Sequence, residues 1–303
     1  MNGLLSVCDI KDDVEYILDL AGKIKSGEIG GKPLEGKTLA MIFQKSSTRT
    51  RVSFDVGMYQ LGGRAIFLSS NDLQMGRGEP ILDTAKVLSR FVDGIMIRAI
   101  EHRDVVELAE HADVPVISGL TNLEHPCQAL ADMLTIKEHF GSWKGRKISF
   151  VGDGNNVCNS LLLIAPLLGM NMSVACPKGY EPNEDILKTA LQYAEENRTE
   201  ITVTSDIEVA LENVDVVYTD VWVSMGDEAQ SKQREADFRP YQVNSDLMSL
   251  ANDGAIFMHC LPAIRGQEVT SDVIDGEASV IYDEAENRMH VQKAVLYYYL
   301  NDF

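Results

Sequence analysis

Residues able to do chemistry fall in a few short runs of the chain. The run Gln44-Lys45-Ser46-Ser47-Thr48-Arg49-Thr50-Arg51 sets hydroxyl and guanidinium groups where an apolar stretch over 38–43 gives way to a helical pattern. Free N–H groups in a helix's first turn, flanked by Ser and Thr hydroxyls, form a cradle for phosphate or carboxylate. A plain helix cap would need only Ser47 or Thr48. Arginines in a first turn oppose the helix dipole by roughly 0.3 to 1 kcal/mol each, a penalty that a bound anion reverses. Arg98, the group His125-Pro126-Cys127-Gln128, the pair Asn155-Asn156 after Asp153, Asp220, and His259-Cys260 each follow another apolar run. His125 and Gln128 lie one helical turn apart, and Asp220 and Cys260 each close an apolar run. A lone histidine after a strand is more often structural than catalytic, and Cys260 can also be a small core residue, although its place closing a strand on the reactive rim favours the site.

The elements that must position these groups alternate. Helical spacing of Val14, Ile17, Leu18, Ala21 and Ile24 predicts an opening helix that ends near Gly27. Strands are predicted over 38–43, 65–68, 94–97 and 115–118, with helices over 50–61, 81–90, 104–111 and 126–140. After the polar break 141–145 the pattern restarts, with strands predicted over 148–151, 172–176, 201–204, 214–218, 255–258 and 280–282 and a terminal helix over 286–303. Such alternation implies an α/β architecture of two domains, 1–140 and 141–303, each a parallel sheet flanked by helices. The terminal helix is apolar enough to need a partner surface and is expected to pack back on the first domain. Open parallel sheets gather ligands beyond the carboxyl ends of their strands, where the reactive groups fall. The stretch 220–240 shows no periodicity and reads as a long loop, of the kind that is usually functional or mobile.

Composition bounds the function classes. The chain has 303 residues, 45% hydrophobic and 24% charged, which suits two globular domains and excludes a disordered tail or a small disulfide scaffold. With 27 Lys+Arg against 46 Asp+Glu the formal charge is −19, so a nucleic-acid or anionic-membrane surface would need a local reversal, and no basic stripe is present. The longest apolar stretch, 161–170, is too short to cross a bilayer, and the opening MNGLLSVCDIKDD lacks the plan of a secretory signal. Five cysteines without Cys-x-x-Cys spacing read as reduced thiols of a cytoplasmic protein.

Phe43 with Ser46-Ser47-Thr48-Arg49-Thr50-Arg51, then His125-Pro126-Cys127-Gln128 and His259-Cys260-Leu261-Pro262, in this order across nearly the full chain, resemble the transcarbamylase family. The run Asp220-Val221-Trp222-Val223-Ser224-Met225-Gly226 resembles the ornithine-binding loop of its ornithine-specific members. The resemblance implies a two-domain α/β fold and a reaction of carbamoyl phosphate with L-ornithine that gives L-citrulline and phosphate for arginine biosynthesis. It also implies a homotrimer or an assembly of trimers, and neither cofactor nor metal. On the family pattern carbamoyl phosphate falls to Ser47, Thr48, Arg49, Thr50, Arg98, His125 and Gln128, with Cys260, Leu261 and Arg288 near the reacting centre. Gln74 is expected to reach into a neighbouring subunit's site, and ornithine falls to Asn156, Asp220, Ser224 and Met225. Arg49, His125, Asp220 and Cys260 are then the catalytic set. One departure stands out: the family often has an acid before Lys45, whereas this chain has Gln44, which removes an ion pair that would support the phosphate loop.

Rival readings are weaker. An aspartate-specific member would need extra cations for a dicarboxylate, whereas Asp220, Asp227 and Glu228 suit an amine; putrescine and acetylornithine are further acceptors to distinguish. Gly152-Asp153-Gly154 after a strand suggests a nicotinamide dehydrogenase, but Val157 stands where a third glycine would fall. A zinc site drawn from His125, Cys127, His259 and Cys260 lacks ordinary ligand spacing, and a non-catalytic binding protein is the remaining class.

Overall fold

Short apolar runs bounded by turns become strands, and each is followed by a helix that carries the chain back, so neighbouring strands pair in parallel. The computed structural model describes residues 3–69, 73, 78–223 and 231–301. The chain forms two compact units, Met1–Leu130 with Arg288–Phe303, and Ala131–Asn287.

The first unit runs β1 (Gly3–Leu4), α1 (Val14–Ser26), β2 (Thr38–Phe43), α2 (Thr48–Gln60), β3 (Arg64–Ser69), α3 (Ile81–Leu88), β4 (Gly94–Arg98), α4 (His102–His111), β5 (Val116–Leu120) and the start of α5 (Pro126–Phe140). Its sheet has the order β1-β5-β4-β2-β3. Leu39, Ala40, Met41, Ile42 and Phe43 of β2 are all buried, the continuous apolar pattern of a strand covered on both faces. Ala40, Ile42, Ile95 and Ile97 share one core cluster with Ala85 of α3 and Leu108 of α4.

The second unit continues with β6 (Lys147–Val151), α6 (Asn156–Leu167), β7 (Asn171–Ala175), α7 (Glu184–Asn197), β8 (Ile201–Thr204), α8 (Ile207–Leu211), β9 (Val216–Tyr218), α9 (Ser231–Phe238), α10 (Ser245–Met248), β10 (Ile256–Met258), α11 (Ser271–Ile274) and the start of α12 (Ile281–Leu300). Its sheet has the order β10-β9-β6-β7-β8. From Arg288 onward α12 belongs to the first unit. There Lys293 Nζ donates to Gln60 Oε1 at 3.0 Å and the Tyr298 hydroxyl to Asp13 Oδ2 at 3.0 Å. Gly94 lies so close to Leu300 that a Cβ on it would meet the leucine Cδ2 at 2.7 Å. The terminal helix does pack on the first unit.

Three expectations are corrected. Residues 280–282 are not a strand: the Val280 N–H is taken by the Phe257 carbonyl at 3.0 Å in an isolated bridge, and helix begins at Ile281. Asp283 in its first turn complements the helix dipole against the β-preference of Val280, Ile281 and Tyr282. The helix accordingly starts before 286. The stretch 220–240 contains helix α9, which the even polarity of its sequence conceals. The strand pair β1–β5 was also unforeseen, because two residues are too few to carry a pattern.

Candidate active site

In each sheet the strand order reverses at one place. In the first unit β2 leads to β3 on one side and then to β4 on the other, so β2 and β4 flank the reversal, with Phe43 opposite Arg98 at their carboxyl ends. In the second unit β6 leads through β7 to β8 and then back past itself to β9. Adjacent connections leave opposite faces at such a point and open a crevice there. The reactive groups lie at both reversals.

At the first reversal Ser47 has extended backbone and caps α2, its Oγ accepting the Thr50 N–H at 3.3 Å. The Ser47 hydroxyl donates to Thr50 Oγ1 at 3.1 Å, and Arg288 Nη2 donates to the same oxygen at 2.9 Å. With two donors on its oxygen, the buried Thr50 hydroxyl keeps its own hydrogen to donate. Thr48 and Arg49 are the first two residues of α2. Arg51 is turned away, its guanidinium 3.9 Å from the centre of the Phe67 ring.

A turn closed by the Thr121 N–H to the Glu124 carbonyl, 2.9 Å, delivers His125 to the start of α5. The Gln128 N–H donates to the His125 carbonyl at 3.0 Å, and both side chains are buried. Burial, then the guanidinium groups of Arg288, Arg98 and Arg49, hold His125 well below the ordinary histidine range. The imidazole is therefore neutral at pH 7, with one ring N–H to donate. Three cations around one neutral histidine form a strongly positive spot in a chain of charge −19.

Gln44 occupies the position at which an ion pair was expected to be lost. Its Oε1 accepts the Ile100 N–H at 2.8 Å, its Nε2 donates to Asp104 Oδ2 at 3.1 Å, and its backbone N–H donates to the Arg98 carbonyl at 2.9 Å. A neutral amide thus ties the segment after β2 to the segment after β4. Cys127 is a core thiol that donates to the Ser118 carbonyl at 3.6 Å, and burial pushes it up to about 12.

At the second reversal the turn after β6 is made by glycine for packing: a Cβ on Gly154 would lie 2.3 Å from the Pro182 nitrogen. This close approach accounts for Gly154, and Gly152 has φ 143°, so the Gly-Asp-Gly run follows from the local backbone. Asn155 caps α6, its Oδ1 accepting from Val157 and Cys158, and its Nδ2 donates to Asp220 Oδ2 at 2.8 Å. Asp220 Oδ1 accepts the Val221 N–H at 2.8 Å and the Cys260 thiol at 3.2 Å. Burial first, then Asp220 and Glu284, push Cys260 well above the ordinary thiol range, so it is a protonated donor to Asp220.

His259 is buried and committed at both nitrogens. Its Nδ1 accepts the Leu261 N–H at 2.9 Å, so the proton lies on Nε2, which meets Glu268 Oε1 at 3.1 Å. Among the described residues, Asp220, His259 and Cys260 bring possible metal-ligand atoms within 4.8 Å of one another, but His259 has no lone pair left for an ion. Leu261 follows with φ 56°, held by that contact to His259.

The structure thus gathers Ser47, Thr48, Arg49, Thr50, Arg98, His125, Gln128 and Arg288 in the first unit, and Asn156, Asp220, Cys260 and Leu261 in the second. Gln74, Ser224 and Met225 lie outside the described residues. Asn155, the direct partner of Asp220, was passed over for its neighbour Asn156; the cap preference of Asn before an apolar helix was the available signal.

Comparison with known proteins also divides the chain in two, with the cut between 138 and 144. The carbamoyl-P binding domain of aspartate/ornithine carbamoyltransferase matches residues 3–138, and the Asp/Orn binding domain matches 144–299. The ornithine carbamoyltransferase of Methanobrevibacter smithii is 77% identical over 99% of this chain and 100% of its own length. That of Methanothermobacter thermautotrophicus is 62% identical over 100% of both. The solved structure of the Pyrococcus furiosus ornithine carbamoyltransferase superposes with a TM-score of 0.96 at 51% identity, covering 100% of this chain and 98% of that one. The anabolic enzyme of Campylobacter jejuni gives 0.93 at 42% identity over 98% of each.

Proposed function

Since the chain belongs to the aspartate/ornithine carbamoyltransferase family, we propose that it transfers the carbamoyl group of carbamoyl phosphate to the side-chain amine of L-ornithine, giving L-citrulline and phosphate. The observation that carries this reading is the charge at the two reversals: three guanidinium groups around a neutral histidine at one, and a triply hydrogen-bonded carboxylate beside a protonated thiol at the other. The first suits a phosphorylated dianion, the second an amine.

In this reading the first turn of α2, with Ser47, Thr48 and Arg49, holds the phosphate together with Arg98, and the arginines neutralise the charge that phosphate keeps as it leaves. His125, through its ring N–H, Thr50, through its free hydrogen, and Arg49 stabilise the carbonyl oxygen as the amine attacks and negative charge grows there. Arg288 orients Thr50, and Gln128 takes the carbamoyl amide. Asp220, held in place by Asn155, Val221 and Cys260, binds the acceptor's amine, with Asn156, Leu261, Ser224 and Met225 completing its surroundings. The tetrahedral adduct collapses with cleavage of the C–O bond to phosphate, and the proton that the attacking nitrogen gives up leaves with the phosphate. No metal or redox cofactor takes part in this scheme.

We further assign the protein to arginine biosynthesis in the cytoplasm, in keeping with five free thiols. Self-association, as a trimer or a multiple of trimers, is supported by the exposed stripe Val52, Val56 and Tyr59 on α2 beside the half-exposed outer strand β3. Gln74 of a neighbouring copy would complete the phosphate site. Release of phosphate from carbamoyl phosphate, measured side by side with ornithine, aspartate, putrescine and acetylornithine, tests the proposal. Citrulline should form with ornithine, and faster turnover of any other acceptor would replace this reading.

A further inference from the structure

Two carboxyl groups buried in the second unit have no part in the scheme above. Glu284 on α12 and Asp132 on α5 are both fully shielded from solvent. Glu284 Oε1 accepts the Tyr218 hydroxyl at 3.0 Å, and its Oε2 accepts the His259 backbone N–H at 2.9 Å. Tyr218 ends β9 two residues before Asp220, and His259 follows β10 one residue before Cys260. One side chain therefore braces both strand ends that meet in the Cys260 thiol to Asp220 contact.

We propose that Glu284, backed by Asp132, is a positioning residue for the acceptor amine: it fixes the spacing of Asp220 and Cys260 by holding Tyr218 and His259 at once. The inference rests on the reading of Asp220 as the amine-binding group. Two carboxylates side by side in a dry interior cannot both be charged, and burial together with Asp132 pushes Glu284 well above the ordinary carboxylate range. One proton is therefore kept in the pair, and it joins the two acids instead of leaving them to repel. The surroundings are consistent with this. Burial, Asp132 and Glu284 also push Tyr218 upward, so its hydroxyl remains a donor to Glu284. The Tyr218 ring stacks on Phe150 with centroids 5.6 Å apart, leaving the hydroxyl little freedom to seek another partner. A plain core would place an apolar side chain at 284. Two acids there make sense where both oxygens of one are needed as acceptors.

Glu284→Gln keeps the shape but offers one carbonyl oxygen in place of two acceptors. The ornithine KM should rise about tenfold, the scale of one lost hydrogen bond, with the carbamoyl phosphate KM within about twofold of native. Alkylation of Cys260 by iodoacetamide, followed at its own peptide, should quicken as the contact to Asp220 loosens; this readout requires no turnover. Tyr218→Phe removes only the hydroxyl and serves if the Gln variant does not fold, with a smaller change of the same kind expected. Equal rises in both KM values, or an unchanged ornithine KM with unchanged Cys260 alkylation, would overturn the proposal. A native enzyme that makes no citrulline would instead defeat the functional reading, and the alkylation comparison would still decide whether Glu284 sets the geometry.

Discussion

Asn155 Nδ2 lies 2.8 Å from Asp220 Oδ2, joining the carboxyl ends of β6 and β9 across the reversal of the second sheet. The same side chain caps α6 through its other atom, so one residue both starts a helix and aims a carboxylate. Asn155→Ala should lose both effects. The cap alone is worth about 1 kcal/mol, a drop of a few degrees in Tm. Asn155→Ser retains a capping oxygen but is too short to reach Asp220. It should leave Tm near native while raising the ornithine KM several-fold. A serine variant with native kinetics would show that Asp220 needs no support from position 155.

His125 gives a pH signature. Its folded form takes up a proton only well below 6.5, whereas an unfolded histidine does so near 6.5. Unfolding therefore binds a proton in the interval between, and stability present above 6.5 is lost as the pH falls toward the folded value. The loss from this one group is up to about 1.4 kcal/mol per pH unit. Urea unfolding between pH 7.5 and 5.5 should show a steeper decline for the native protein than for His125→Gln. Parallel declines would mean that His125 is not held neutral by burial and the three arginines.

Gln44 stands where the family pattern led to the expectation of an acid, and its partners make the consequence specific. Gln44→Glu would still accept the Ile100 N–H but would set a second carboxylate against Asp104 in place of a donor. Loss of that tie, about 0.5 to 1.5 kcal/mol, should raise the carbamoyl phosphate KM roughly threefold to tenfold. Adding Asp104→Asn returns a donor to the pair and should restore the native value. If the double variant is worse than the single one, the bridge between the two strand ends does not position the phosphate loop.

What could be read in the sequence was the local part of this architecture. The strand over 38–43 and the helix after Ser47 follow from five buried apolar residues in a row and a serine cap, all within one stretch of chain. The cationic cluster was legible for the same reason at Ser47 to Thr50, while the place of Arg98 and Arg288 rested on a motif, since nothing local to them shows which anion or histidine they face. Helix α9 was hidden because its stability comes from elsewhere: Arg234 donates to Asp153, 81 residues away, and Phe238 packs on Tyr180 and Trp222. Asn155 was missed likewise, its partner lying 65 residues on. Glu284 was not singled out in the sequence, where it falls between a predicted strand and a predicted helix, and only the fold shows both its oxygens in use.

Asp220 joins the amine reading to the state of Cys260, so one substitution tests both. Asp220→Asn keeps the size of the side chain and removes its charge. An amine then loses its ionic partner, and the ornithine KM should rise by about tenfold to a hundredfold, the range for hydrogen bonds to charged groups, with carbamoyl phosphate affinity unchanged. The same change removes the largest charge that pushes the Cys260 thiol upward and leaves it a neutral amide oxygen in place of a carboxylate acceptor. More thiolate should then form at pH 8, and Cys260 should react faster with iodoacetamide than in the native enzyme, despite unchanged burial. Kinetics and alkylation report on different atoms. A variant that bound both substrates equally less well, with Cys260 no more reactive, would place Asp220 in the scaffold and remove it from the amine site.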